Sequence, residues 1–146
     1  MEIPSHRKRR IIVIIESDNK FLVHKTAGKW SFIDSFIDWP IDKPRLRPVH
    51  MASWMFLNCM NGLIDDYKSI KKKFTYAKKF ISPSNYIIYH LQIDIKDALT
   101  YYNRQRKFFG KHIPKLELHD PMSIKNFEPG KYLGSSIEAF GCLHTI

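Results

Sequence analysis

The spacing of apolar residues changes several times along the chain. Ile11–Ile15 (IIVII) is a continuous β-branched run, the pattern of a strand buried on both faces. Asp18 and Asn19 supply a turn, and Lys20–Lys25 (KFLVHK) then reads as the partner strand of a hairpin. Gly28 and Lys29 turn the chain into a short strand, Trp30–Ile33. Asp34–Arg47 contains Pro40 and Pro44 and alternates apolar residues with Asp34, Asp38 and Asp42, which predicts an irregular stretch.

From Pro48 the period becomes helical. Proline suits the first helical position, and Val49, Ala52, Phe56, Cys59 and Leu63 recur at helical spacing up to an Asn61-Gly62 stop. Lys68–Lys73 is basic, and Phe74, Tyr76 and Phe80 predict a strand with one apolar face and lysines around it. Pro83-Ser84-Asn85 is a turn, and Tyr86–Ile95 (YIIYHLQIDI) is a second clear strand suited to a central position. Asp97–Phe109 predicts a helix with Ala98, Leu99, Tyr102 and Arg106 near one face, and Ser135–Cys142 a short terminal one. Strands, a helix, strands and a terminal helix make an α+β or α/β sandwich.

Length and composition are those of one folded domain. The chain has 146 residues, 44% of them hydrophobic, enough to bury a core. The division expected is a flexible basic arm over residues 1–10 and a single domain over 11–146. The polar, then basic start (Ser5 to Arg10) is not that of a signal peptide. The longest uncharged run, Pro48–Ile64, is too short and too polar to span a membrane. Cys59 and Cys142 sit in apolar surroundings and read as buried free thiols, which fits a reducing, cytoplasmic setting.

Charge narrows the partners. The net charge is +10 and the pI about 9.6, and such an imbalance attracts nucleic acid, nucleotides or acidic partners. The charge is clustered. Lys71, Lys72, Lys73, Lys78 and Lys79 interleave with Phe74, Tyr76 and Phe80; Arg104, Arg106, Lys107 and Lys111 lie beside Tyr101, Tyr102, Phe108 and Phe109. Cations hold phosphates and aromatic faces stack bases, so the mixture suits single-stranded nucleic acid. The plainer alternative is strand aromatics in the core with lysines solvated outside. Arg7, Lys8, Arg9 and Arg10 add phosphate contacts or form a solvated terminus. The abundance of Ile, Lys, Asn and Tyr suggests an AT-rich genome, such as that of a virus or phage.

Catalytic motifs are missing from the sequence. There is no GxSxG, P-loop, HExxH or dinucleotide-binding glycine pattern. Asp34, Asp38 and Asp42 are spaced by four in a proline-containing loop, which favours solvated carboxylates over a shared metal. His24, His50, His90, His112 and His119 each lack a partner at motif spacing. No catalytic residue, metal site or cofactor is therefore assigned.

One family resemblance reaches from about residue 10 to 95. The KFLVHK strand, Gly28-Lys29-Trp30-Ser31-Phe32, a helix closing on Gly62-Leu63, and the strand at Tyr86–Ile93 follow the order seen in a Nudix domain. That resemblance implies a mixed sheet sandwiched between helices. It also implies a signature helix on which hydrolases of the family carry metal-binding glutamates. Counting back from Gly62, those positions hold Phe56, Cys59 and Met60, and no glutamate occurs between Glu16 and Glu117. Thioether and thiol sulfurs are poor ligands for Mg²⁺. The resemblance thus implies a Nudix pseudoenzyme, a fold that holds nucleic acid or a nucleotide rather than cleaving it. Trp54, Met55, Phe56, Cys59 and Met60 either fill the former pocket or form an interface with a protein partner or second copy, as an assembly protein would use them. A hydrolase with a relocated metal site at Asp34, Asp38 or Asp65 is the remaining alternative.

Overall fold

The computed structural model describes residues 6–26, 28–40, 48–60, 67–109, 114–125 and 130–143. Its centre is β1 (His6–Ser17). Ile11 to Ile15 are all fully buried, as an unbroken β-branched run requires when both faces of a sheet are covered. Asp18 and Asn19 both take positive φ (54° and 60°), the two-residue turn whose twist matches a hairpin. The chain returns as β2 (Lys20–Thr26), in register Ser17 with Lys20 and Glu16 with Phe21.

β1 and β2 then diverge, and the next segment occupies the fork. β3 (Lys29–Ser31) pairs with β2, and β4 (Ile33–Pro40) pairs with β1 from His6 to Val13. On its other edge β1 pairs in parallel with β6 (Ile87–Gln92), which carries the edge strand β5 (Lys78–Ile81). β7 (Leu116–His119) completes the mixed seven-stranded sheet beside β2.

Helices cover both faces, giving an α+β sandwich. Ile11, Val13, Ile15, Leu22, Tyr89 and Leu91 pack under α1 (Pro48–Cys59), α2 (Tyr67–Thr75) and α3 (Lys96–Phe109). Ile12, Ile14, Phe21, Val23 and Ile88 pack under α4 (Pro121–Lys125) and α5 (Gly134–Cys142). This alternation is the period of two expected of strands.

β7 and α4 form where no element was expected, and three other segments differ from the sequence expectation. His6–Arg10, expected within a flexible arm, is strand, because β4 supplies its ladder from Pro40 to Phe36. For the same reason residues 34–40 are strand rather than irregular. Residues 67–75 form a helix where 68–73 were expected only to be basic, and of the strand expected from Phe74 to Phe80 only the end forms, within β5. Ile70 and Phe74, four apart, are the buried pair there, and four is a helical spacing. Residues 1–5, Asp42, Asn61, Gly62, Asp65, His112 and the stretches around them lie outside the described residues.

Candidate nucleic-acid interface

α2 buries Ile70 and Phe74 against the sheet, so Lys72, Lys73 and Tyr76 fall on its outer side. The helix ends at Thr75, whose hydroxyl donates to the Lys71 carbonyl (2.9 Å). The chain turns within two residues into β5, where Lys78 stands opposite His90. Pairing between β5 and β6 stops there, so Leu91 and Gln92 have no β5 partner. The gap left between the helix and the end of the edge strand is an open cleft of about 590 Å³.

Lys72 and Lys73 from α2 and Lys78 from β5 line this cleft, with Ser69, Tyr76 and Gln92. The Tyr76 ring is 79% exposed. No carboxylate belongs to the described lining. One lies just behind it: Glu16 Oε1 is 2.9 Å from His90 Nε2, and the Gln92 amide points at Glu16 Oε2 from 3.4 Å. On the far side of Gln92 the surface turns acidic, with a second depression lined by Glu16, Asp18 and Asp94. Lys96 hydrogen-bonds Asp18 (2.7 Å) and holds its carboxyl below the usual value. An anion therefore meets attraction on one side of Gln92 and repulsion on the other.

The remaining basic residues are distributed elsewhere. Lys71 is half-buried on α2, and Lys79 is exposed on β5 opposite Tyr89. Arg104 and Lys107 are exposed and Arg106 is half-buried on α3, which packs beside β7. The strand order β7-β2-β1-β6 separates that helix from α2. Arg7, Lys8 and Arg9 lie in β1 opposite Trp39, Asp38 and Ile37. Arg10, expected to contact phosphates, is instead engaged within the fold. Its Nε is 3.2 Å from Asp34 Oδ1, and its guanidinium lies 5.3 Å from the centre of the Tyr86 ring.

The helix at 48–59 is mostly core. Met55, Phe56 and Met60 are buried, and Phe56 packs on Phe74 with ring centres 6.1 Å apart. Cys59 is half-buried, and desolvation pushes its thiol up to about 12, far from the range of a reactive cysteine. Only Trp54 of this set, 52% exposed, stands out from the helix.

Two polar clusters serve the fold. Asp34 bridges β4 to Arg10 and to the Ser135 hydroxyl (2.9 Å); burial raises its pKa, and both partners oppose that. The Phe32 N–H donates to Ser136 Oγ (3.0 Å), while His24 Nε2 lies 3.1 Å from the Phe32 carbonyl. At the β7 edge, His119 contacts the Tyr132 hydroxyl (2.5 Å) and Glu117 (3.1 Å), with Trp30 packed on its ring. Burial and the nearby Glu117 charge raise the Tyr132 pKa, so the phenol stays protonated. Among the described residues no three His, Cys, Asp or Glu side chains gather in a metal-holding group, and no helix is long and apolar enough to cross a membrane.

Sequence reasoning placed Lys72, Lys73 and Lys78 in one cluster but missed Ser69 and Gln92. The signal for Gln92 was the two-residue period of β6, which puts His90 and Gln92 on one face beside Glu16. No protein-family model matches the chain, and no curated protein matches it.

Proposed function

We propose that this chain is a non-hydrolytic, Nudix-like binding module that holds single-stranded nucleic acid in the cleft between α2 and β6. The observation that carries this reading is the convergence of Lys72, Lys73 and Lys78, from two different elements, on one cleft beside an exposed tyrosine. Ammonium groups neutralise phosphates and release their counterions. An aromatic face stacks any base, giving affinity without sequence preference.

The non-hydrolytic part rests on packing. Phe56 and Met60, at positions where the family carries metal-binding glutamates, are fully buried. The order hairpin, Trp30 strand, helix and parallel strand supports the Nudix-like reading. Burial of Met55, Phe56 and Met60 supports pocket filling over a partner interface at this helix. Two free cysteines support a reducing compartment such as the cytoplasm.

Binding of a labelled oligothymidylate or oligouridylate, measured as a function of salt, tests the proposal. For single strands the slope of log K against log salt is about −0.7 per neutralised phosphate. Replacing Lys72, Lys73 and Lys78 with alanine is expected to flatten the slope by about 2 and to weaken low-salt binding at least tenfold. A wild-type protein that binds no oligonucleotide at low salt refutes the proposal. So does a triple variant with an undiminished slope. A mononucleotide competitor that displaces the oligomer at equal concentration reassigns the ligand to a free nucleotide.

A further inference from the structure

We infer that α3 carries a second contact for the same strand, so that the cleft and α3 together form a bipartite site. The inference rests on the cleft reading above and adds a surface to it. α3 turns Leu99 and Tyr102 into the core. Its outer side shows Tyr101 (53% exposed), Arg104 and Phe108 (88% exposed), spaced three and four apart and therefore stacked along one stripe, with Lys107 beside it.

Two large rings left in water flanked by two cations are poorly explained by folding alone. A purely apolar partner would leave Arg104 and Lys107 without counter-charge, and an acidic peptide would leave the rings without a flat partner. A nucleic-acid strand supplies both, phosphates for the cations and bases for the rings.

The layout sets the length of strand required. α1, α2 and α3 lie on one face of the sheet. α2 sits over β6 and α3 beside β7, three strand steps away. At about 4.8 Å per step the lateral separation is roughly 14 Å. A stacked strand advances about 3.4 Å per nucleotide, so roughly four to six nucleotides bridge the two contacts. Once the cleft holds one end, the second contact becomes intramolecular and its contribution is amplified by effective concentration.

The test is a length series. Oligothymidylates of two to twelve nucleotides are titrated by fluorescence anisotropy against the wild type and against a Tyr101→Ala/Arg104→Ala/Phe108→Ala variant. All three side chains are exposed, and thermal melts verify that the variant stays folded. The expected result is equal affinity for the shortest oligomers. From about six nucleotides the wild type gains tenfold or more and the variant does not. Identical curves for the two proteins at every length overturn the α3 contact while leaving the cleft reading standing. A wild type that binds at no length overturns both.

Discussion

Replacing Phe56 by alanine tests the packing role of the helix directly. The ring is fully buried, 6.1 Å from Phe74, which in turn meets Tyr89 of β6 at 6.2 Å. Three elements are thus joined through aromatic rings. Truncating a buried phenylalanine costs about 3–5 kcal/mol. Of that, about 0.5–1.5 kcal/mol is the specific Phe56–Phe74 coupling, recoverable from a double-mutant cycle with Phe74→Leu. For a domain of this size the melting temperature falls by about 3 °C per kcal/mol, so a drop of roughly 10–15 °C is expected. Urea unfolding and calorimetry at neutral pH measure it. Phe56→Glu, which supplies the carboxylate that the proposed Nudix-like reading would call for, places a charge in a site with no described partner and should fold worse than alanine. A loss below about 1 kcal/mol in the alanine variant would refute the packing argument. So would a glutamate variant that folds normally and hydrolyses diphosphates with Mn²⁺.

Two further outcomes follow from the polar clusters. Ser136→Ala leaves the buried Phe32 N–H without its acceptor and should cost about 1–3 kcal/mol in urea unfolding, whereas an exposed serine such as Ser69 costs a few tenths. Burial is the main cause that lowers the His24 pKa below 6.5, against the opposing Phe32 carbonyl and Asp34. As pH falls through about 6.5 the unfolded chain takes up the proton first, so stability drops on the acid side of that value. His24→Gln keeps a donor for the Phe32 carbonyl and should flatten that part of the urea midpoint–pH curve. The raised Asp34 acts with the opposite sign, its contribution falling as pH rises above 3.8, so the histidine's share is read from the difference between wild type and His24→Gln at each pH.

What the sequence revealed depended on whether a segment's partner was close by. The β1–β2 hairpin, α1, β6, α3 and α5 were legible because hydrophobic period and turn residues agree locally. β4 was not, because Asp34, Asp38 and Pro40 look loop-like until β1 offers a ladder and Arg10 and Ser135 offer Asp34 its partners. α2 was missed because its lysines hide the apolar period and Phe74, near its end, groups with Tyr76 two residues on, while the pair that decides is Ile70 and Phe74. The cleft was half legible. The lysines cluster in sequence, but the opening exists because β5 begins only at Lys78, opposite His90, and strand length is set by pairing rather than by local residues.

The parallel pairing of Ile11–Glu16 with Ile87–Gln92 also governs how the chain reaches its structure. The hairpin partner of β1 is adjacent in sequence and forms on the microsecond scale. The parallel partner arrives only after a long loop has closed, with β2, β3, β4, α1, α2 and β5 between. Until then the IIVII edge is a bare template for another chain. The cationic run Arg7-Lys8-Arg9-Arg10 precedes it directly, where charge repulsion discourages two such edges from meeting during folding. Part of the basicity that invites a polyanion is thus also a safeguard against aggregation.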